Sequence, residues 1–232
     1  MDKPLAGVRI LDLSTLLAGP FASMILADLG ADVIKIEIPG RGEHVRRMPP
    51  HFVGGTSAYF IAFNRNKRSL TLNLKDAEGH RVFLELVKRV DVVFDNFRPG
   101  VLERLGAGYE TLARVNPRII SASVTGYGLT GPDKEGPAVD LVIQARGGIM
   151  SFTGEPGRPP VRTGAPLGDL GGGAFAAHGI LAALYRRERT GAGGKVDVSL
   201  LDSQLYLASY RAQYCLTAGE VARPMGTGHV SA

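Results

Sequence analysis

Residues 7–37, GVRILDLSTLLAGPFASMILADLGADVIKIE, decide the fold. Residues 7–13 alternate and then run apolar, as a buried strand does, and residues 31–37 give a second run of that kind. Between them, 14–19 read as a loop and 20–29 as a helix, with Pro20 at the first helical position, where a missing N–H costs nothing. Strand, helix and strand in this order make a βαβ unit, with a right-handed crossover expected. No G-x-G-x-x-G follows the first strand, so a nicotinamide or flavin dinucleotide site is unsupported. The loop 14–19 still lies at the C-terminal end of a strand, where open α/β sheets place ligands.

The alternation continues along the chain. Residues 68–74, 91–95, 118–124 and 196–200 read as strands, and 76–90, 109–115, 138–147 and 201–216 as helices. A short helix through Arg104 follows the turn at 96–100. Residues 39–59, rich in Gly, Pro, Arg and His, read as an irregular loop in which Arg41, Arg46 and Arg47 form a solvated face or touch phosphate. This spacing predicts an α/β fold with a doubly wound, mostly parallel sheet.

Composition narrows the function classes. A chain of 232 residues with 44% hydrophobic and 21% charged residues has the make-up of an ordinary globular enzyme. The single cysteine, Cys215, excludes a disulfide framework and a cysteine zinc site, and the five histidines show no metal-ligand spacing. The net charge of +5 is spread along the chain, which argues weakly for nucleic acid and suits a small polyanion equally well. The N-terminus has no apolar signal core, so a cytoplasmic location is expected. The apolar run 171–184 is shorter than the ~20 residues a bilayer requires. It is expected to be a buried core helix, with His178 as a satisfied core residue and no membrane partner.

The chemistry points to residues 162–184, RTGAPLGDLGGGAFAAHGILAAL. One carboxylate, Asp169, precedes Gly171, Gly172 and Gly173 and an apolar helix. Two readings are open. Asp169 is the helix N-cap, a role Asp often fills. Or it is a nucleophile, with glycines admitting a substrate and free helix N–H groups turned toward it. No G-x-S-x-G elbow and no P-loop appear elsewhere.

Six segments carry a resemblance: 11–37 (LDLSTLLAGPFASMILADLGADVIKIE), 63–79 (FNRNKRSLTLNLKDAEG), 91–106 (DVVFDNFRPGVLERLG), 116–128 (NPRIISASVTGYG), 164–173 (GAPLGDLGGG) and 190–203 (TGAGGKVDVSLLDS). Together they resemble the family III CoA-transferases, the CaiB/BaiF family. The resemblance implies a Rossmann-like large domain over residues 1–216, with 217–232 beginning the linker to a small domain largely absent from this chain. GTGHVSA (226–232) resembles the start of the segment leading there, so the chain is expected to be the N-terminal part of an interlocked homodimer subunit. Coenzyme A and acyl-CoA are implied as substrates, with no prosthetic group. Asp169 matches the family's nucleophile, which forms first an acyl anhydride and then an aspartyl-CoA thioester, with oxyanion donors expected among Leu170 to Gly172. CoA contacts carry over to Leu17 and Ala18 in the first loop. They continue at Leu72, Asn73, Leu74 and Lys75, at Asn96, Phe97, Arg98 and Arg104, and at Pro137, Ala138, Val139 and Asp140 toward the pantetheine end.

Three departures matter. Ile38 stands where relatives often carry an arginine, so a phosphate contact is lost or moved to Arg41. Thr15 and Leu17 replace the His and Gln of formyl-CoA transferases, which disfavours an oxalate-specific enzyme. Val139 occupies the position where α-methylacyl-CoA racemases resemble G-H-D, and valine carries no proton. Transfer of CoA from an acyl-CoA to a free carboxylic acid is therefore preferred over racemisation, and over a CoA-binding subunit inactive alone.

Overall fold

The computed structural model describes residues 3–230, so the last two residues of the 226–232 segment lie outside the described residues. Two compact units emerge: residues 1–124 with 173–198, and residues 125–172 with 199–232.

The first unit carries the sheet. Its strands are β1 (Arg9–Asp12), β2 (Asp32–Glu37), β5 (Lys67–Thr71), β6 (Val92–Asp95), β7 (Ile120–Thr125) and β8 (Gly194–Ser199), and a two-stranded hairpin, β3 (Phe52–Val53) and β4 (Thr56–Ser57), stands apart. The sheet order is β5-β2-β1-β6-β7-β8, and the pairs β1–β2, β1–β6, β2–β5 and β6–β7 are parallel. The order reverses at β1 and β6, the doubly wound arrangement expected from the sequence. β6 and β7 are buried throughout, as strands covered on both faces must be.

Helices α1 (Ala18–Asp28), α2 (Ala58–Asn64), α3 (Ala77–Val87), α4 (Val101–Arg104) and α5 (Tyr109–Val115) connect these strands. Leu11, Leu13 and Val93 form one core with Phe83 and Val87 of α3 and Leu112 of α5. Asp76 caps α3 through the Gly79 N–H at 3.1 Å. Pro20 is the third residue of α1 rather than the first, still within the turn whose N–H groups have no helical partner. The stretch 39–59 is more ordered than expected. A 3-10 turn at His44–Arg47, the hairpin and the start of α2 occupy it.

The second unit holds α6 (Asp140–Arg146), the 3-10 turn Ile149–Phe152, the start of α7 (Leu167–Thr190) and α8 (Leu200–Ala218). α7 starts four residues earlier and runs further than the apolar pattern suggested, through the charged stretch 186–189. At 24 residues it is long and apolar enough to cross a bilayer, although 44% of its apolar window is buried within the protein. His178 is exposed, not a core residue, and lies against Phe175 with ring centroids 6.3 Å apart.

Candidate functional site

In the first unit, a cavity of about 630 Å³ opens at the C-terminal ends of the parallel strands. Thr15 follows β1, Ile38 and Arg41 follow β2, Leu72, Asn73, Leu74 and Lys75 follow β5, and Phe97 follows β6; all line it. Lys75 and Leu74 also line an adjoining depression together with Arg104 and His80. Five of the expected CoA contacts thus share one cavity, and Arg104 shares the second with two of them.

The others are placed differently. Leu17 and Ala18 are buried at the start of α1 and line neither space. The Asn96 side chain clasps the Thr15 backbone, accepting from its N–H and donating to its carbonyl, each at 2.8 Å. Arg98 is exposed and lines neither space.

Buried ion pairs shape this cavity. Lys35 Nζ sits 2.7 Å from Glu43 Oε2 and donates to the Ser14 carbonyl, also at 2.7 Å. Glu43 Oε1 in turn accepts the Leu16 N–H at 2.6 Å. Leu16 has φ of 66°, a left-handed conformation that a leucine adopts only when its surroundings fix it. Glu37 takes two bonds from Arg46, at 2.7 and 2.6 Å, and others from the Glu43 N–H and Ser69. Burial pushes the Glu37 carboxyl up, but these donors outweigh it and hold it down at about 2.

Arg46, unlike Arg41 and Arg47, does not line the cavity. It is tied to Glu37 and stacked on Phe60, 3.9 Å from the ring centroid. Arg41 and Arg47 line the cavity with Lys75, and among the described residues none of the three pairs with a carboxylate. With Glu37 and Glu43 neutralised by their own cations, the wall is left cationic, as a polyphosphate requires.

In the second unit the structure corrects the reading of residues 162–184. Asp169 is the third residue of α7, not its N-cap. The cap is Asp140, whose Oδ1 accepts the N–H groups of Gly168 at 2.8 Å and Asp169 at 3.3 Å. Leu167 N–H donates to the Ala165 carbonyl and Leu170 N–H to the Pro166 carbonyl. All four initial N–H groups of α7 are thus satisfied within the protein, and the helix start offers no free donor to an anion. The expected oxyanion donor Leu170 is occupied in this way.

The glycines also have another task than admitting a substrate. A Cβ on Gly172 would stand 2.2 Å from Leu200 Cδ2, and one on Gly171 2.7 Å from Leu207 Cδ1. They let α7 approach α8 closely.

Asp169 is left half-buried, and among the described residues no donor reaches its carboxylate. Burial, and then the neighbouring charge of Asp140, push its carboxyl up to about 6. At neutral pH it is still mostly ionised, and more basic than an ordinary aspartate. Pro137 and Ala138 lie in the segment before α6, where the Pro137 carbonyl accepts from Tyr127 Oη at 3.2 Å and Ala138 packs on Gly126. Val139 is 60% exposed. Asp140 and Asp169 are the two expected site residues that this unit brings together.

Gln144, Thr163 and the Glu43–Lys35 pair were missed by the sequence reading. Gln144 carries a local signal: it lies four residues after Asp140 on one helix face.

The sequence model of CoA-transferase family III matches residues 5–232, and the chain belongs to that family. An acetyl-CoA:oxalate CoA-transferase of Acetobacter aceti is 47% identical over 97% of this chain and 58% of its own length. A succinyl-CoA:glutarate CoA-transferase of Mus musculus is 45% identical over 99% of this chain and 52% of its own. The crystal structure of a CaiB/BaiF family protein from Brucella suis matches with a TM-score of 0.94 at 40% identity, over 99% of this chain and 61% of that one. The chain therefore spans little more than half the length of the curated relatives it matches.

Proposed function

We propose that the full-length protein transfers CoA from an acyl-CoA to a free carboxylic acid, with Asp169 as the nucleophile. The observation that carries this reading is a carboxylate at the start of α7 that is relieved of the capping role by Asp140, lacks a donor, and is raised to about 6. Such a group is ionised at neutral pH without a general base, yet basic enough to attack a thioester. The cation-lined cavity supports the same reading, since Arg41, Arg47 and Lys75 suit the phosphates of CoA.

An Asp169 carboxylate oxygen attacks the thioester carbonyl carbon, the C–S bond breaks, and CoA leaves as thiolate, giving a mixed anhydride. The thiolate then attacks Cγ of Asp169, releasing the first acid as its carboxylate and leaving an aspartyl-CoA thioester. The incoming carboxylate attacks that thioester carbonyl and expels the thiolate, which attacks the acyl carbonyl of the new anhydride. This frees Asp169 and forms the new acyl-CoA. Water would intercept the anhydrides, so the site must be closed during turnover. The donors for the oxyanions lie outside the four N–H groups already engaged at the start of α7.

The names of the relatives suggest a short dicarboxylate as acceptor. Thr15 and Leu17 depart from the oxalate-binding pattern, yet a relative named an acetyl-CoA:oxalate CoA-transferase stands at 47% identity, so oxalate belongs in the acceptor panel. A cytoplasmic homodimer with no bound prosthetic group completes the proposal. The test is mass spectrometry of the full-length protein with a panel of acyl-CoA donors and dicarboxylate acceptors in D2O. Transfer without deuterium entering the α-position supports the reading. Deuterium wash-in without transfer supports racemisation, and CoA binding with neither reaction supports a binding subunit.

A further inference from the structure

Around the start of α7, a chain of hydrogen bonds continues beyond Asp140. Asp140 Oδ2 accepts from Gln144 Nε2 at 2.8 Å. Gln144 Oε1 accepts from the Thr163 N–H at 2.9 Å, and Thr163 Oγ1, also 2.9 Å away, shares its one hydrogen between Gln144 Oε1 and the Ala165 carbonyl at 2.7 Å. Gln144 is fully buried. Its amide orientation follows from its partners, because a carboxylate only accepts and a backbone N–H only donates. The Asp140 carboxylate is therefore held by both oxygens, one on α7 and one on Gln144.

We propose that Gln144 and Thr163 are positioning residues for Asp169, acting through Asp140. Asp140 cannot turn its carboxylate toward a substrate without releasing the Gly168 and Asp169 N–H groups, and Gln144 prevents that turn. The Gln144 side chain thereby fixes the backbone from which the nucleophile projects. Fixing it holds the Asp169 carboxylate on an attack trajectory. A buried network of this kind rigidifies its surroundings only while every member is paired. The inference rests on the reading of Asp169 as the nucleophile and adds to it the residues that aim that group.

The direction of the 140–144 bond supplies a test that simple packing does not. In Asp140→Asn, the new amide nitrogen meets the Gln144 amide nitrogen, donor against donor. In Gln144→Glu, a carboxylate meets the Asp140 carboxylate. The double variant Asp140→Asn/Gln144→Glu reverses donor and acceptor and restores the bond, while the carboxylate introduced on α6 still accepts from Thr163. In full-length protein at pH 8, each single variant is expected to lose at least ~20-fold in kcat, with the KM for acyl-CoA changed about 2-fold or less. The double variant should recover to within ~5-fold of the parent.

Thr163→Val, at a half-buried position, keeps the backbone donor and provides a mild variant that folds if the larger changes do not; a loss of ~3-fold in kcat is expected. Single-turnover labelling of Asp169 by acyl-CoA should slow in parallel with kcat in every variant. A double variant no better than its worse parent, or Thr163→Val and Gln144→Leu proteins with parental kcat, would overturn the inference. Transfer activity persisting in Asp169→Ala would overturn the underlying reading instead. An inactive Asp169→Ala alongside unimpaired 140 and 144 variants would overturn the positioning role alone.

Discussion

Asp12, in the first unit, and Asp169, in the second, are both withdrawn from water, yet they respond in opposite directions. Asp12 is fully buried, and burial alone would push it up. Lys67 and Lys35, together with hydrogen bonds from Ser14 and Ser23, outweigh that and hold it far below the usual carboxylate range. Asp169 is less buried but has no donor and a like charge nearby, so it rises to about 6. Cationic partners, not depth alone, separate the two. Asp12 is held by two lysines and two hydroxyls, whereas no donor among the described residues reaches the Asp169 carboxylate.

The largest test of this contrast is removal of the two acids. Asp169→Asn is expected to lower kcat by about 10⁴-fold or more while CoA binding by calorimetry is retained. Asp12→Asn should instead impair folding, because it leaves Lys67 buried against an uncharged partner. Equal losses of activity with equal losses of stability in the two variants would erase the distinction.

Lys35→Met comes next. It leaves Glu43, which is 5% exposed, without its cation and frees the segment that holds Leu16, so urea unfolding should show a loss of about 3–5 kcal/mol.

Asp95 sharpens the contrast within the first unit. Burial pushes it up to about 6, only partly offset by Ser123 and the Phe97 N–H. The unfolded chain therefore loses this proton near pH 3.8, before the folded protein does. The stabilising effect is complete below that value and disappears as pH rises through 6. Asp95→Asn should remove this decline and leave the variant more stable at pH 8 by up to about 3 kcal/mol. Unfolding curves of variant and parent that stay parallel from pH 4 to 8 would contradict it.

The smallest effect concerns the cavity wall. Arg41→Ala and Arg47→Ala should each raise the KM for acyl-CoA by about 10-fold, with kcat little changed. Parental KM values in both would remove these cations from the phosphate site.

How far the sequence was legible depended on the range of the interactions. Strand and helix alternation is local, and the doubly wound sheet followed from it. Residues 72–75 and Phe97 stood out only through the family resemblance, and they share a cavity because strand ends of a parallel sheet converge. Asp169 could be picked out, but not its relief from capping. That relief comes from Asp140, 29 residues back in the chain, and no local pattern reports it. The packing task of Gly171 and Gly172 is equally non-local, since it is set by Leu207 and Leu200 of α8. Arg46 looked like Arg41 and Arg47 in sequence, and only the register of β2 gave it Glu37.

The central claim is that Asp169 becomes covalently attached to CoA during turnover. The direct measurement is rapid mixing of the full-length protein with acyl-CoA, followed by acid quench and peptide mass spectrometry. The expected result is CoA on the peptide carrying Asp169, formed at least as fast as turnover and discharged when an acceptor acid is added. Transfer proceeding with no adduct, or with the adduct on another residue, would contradict it.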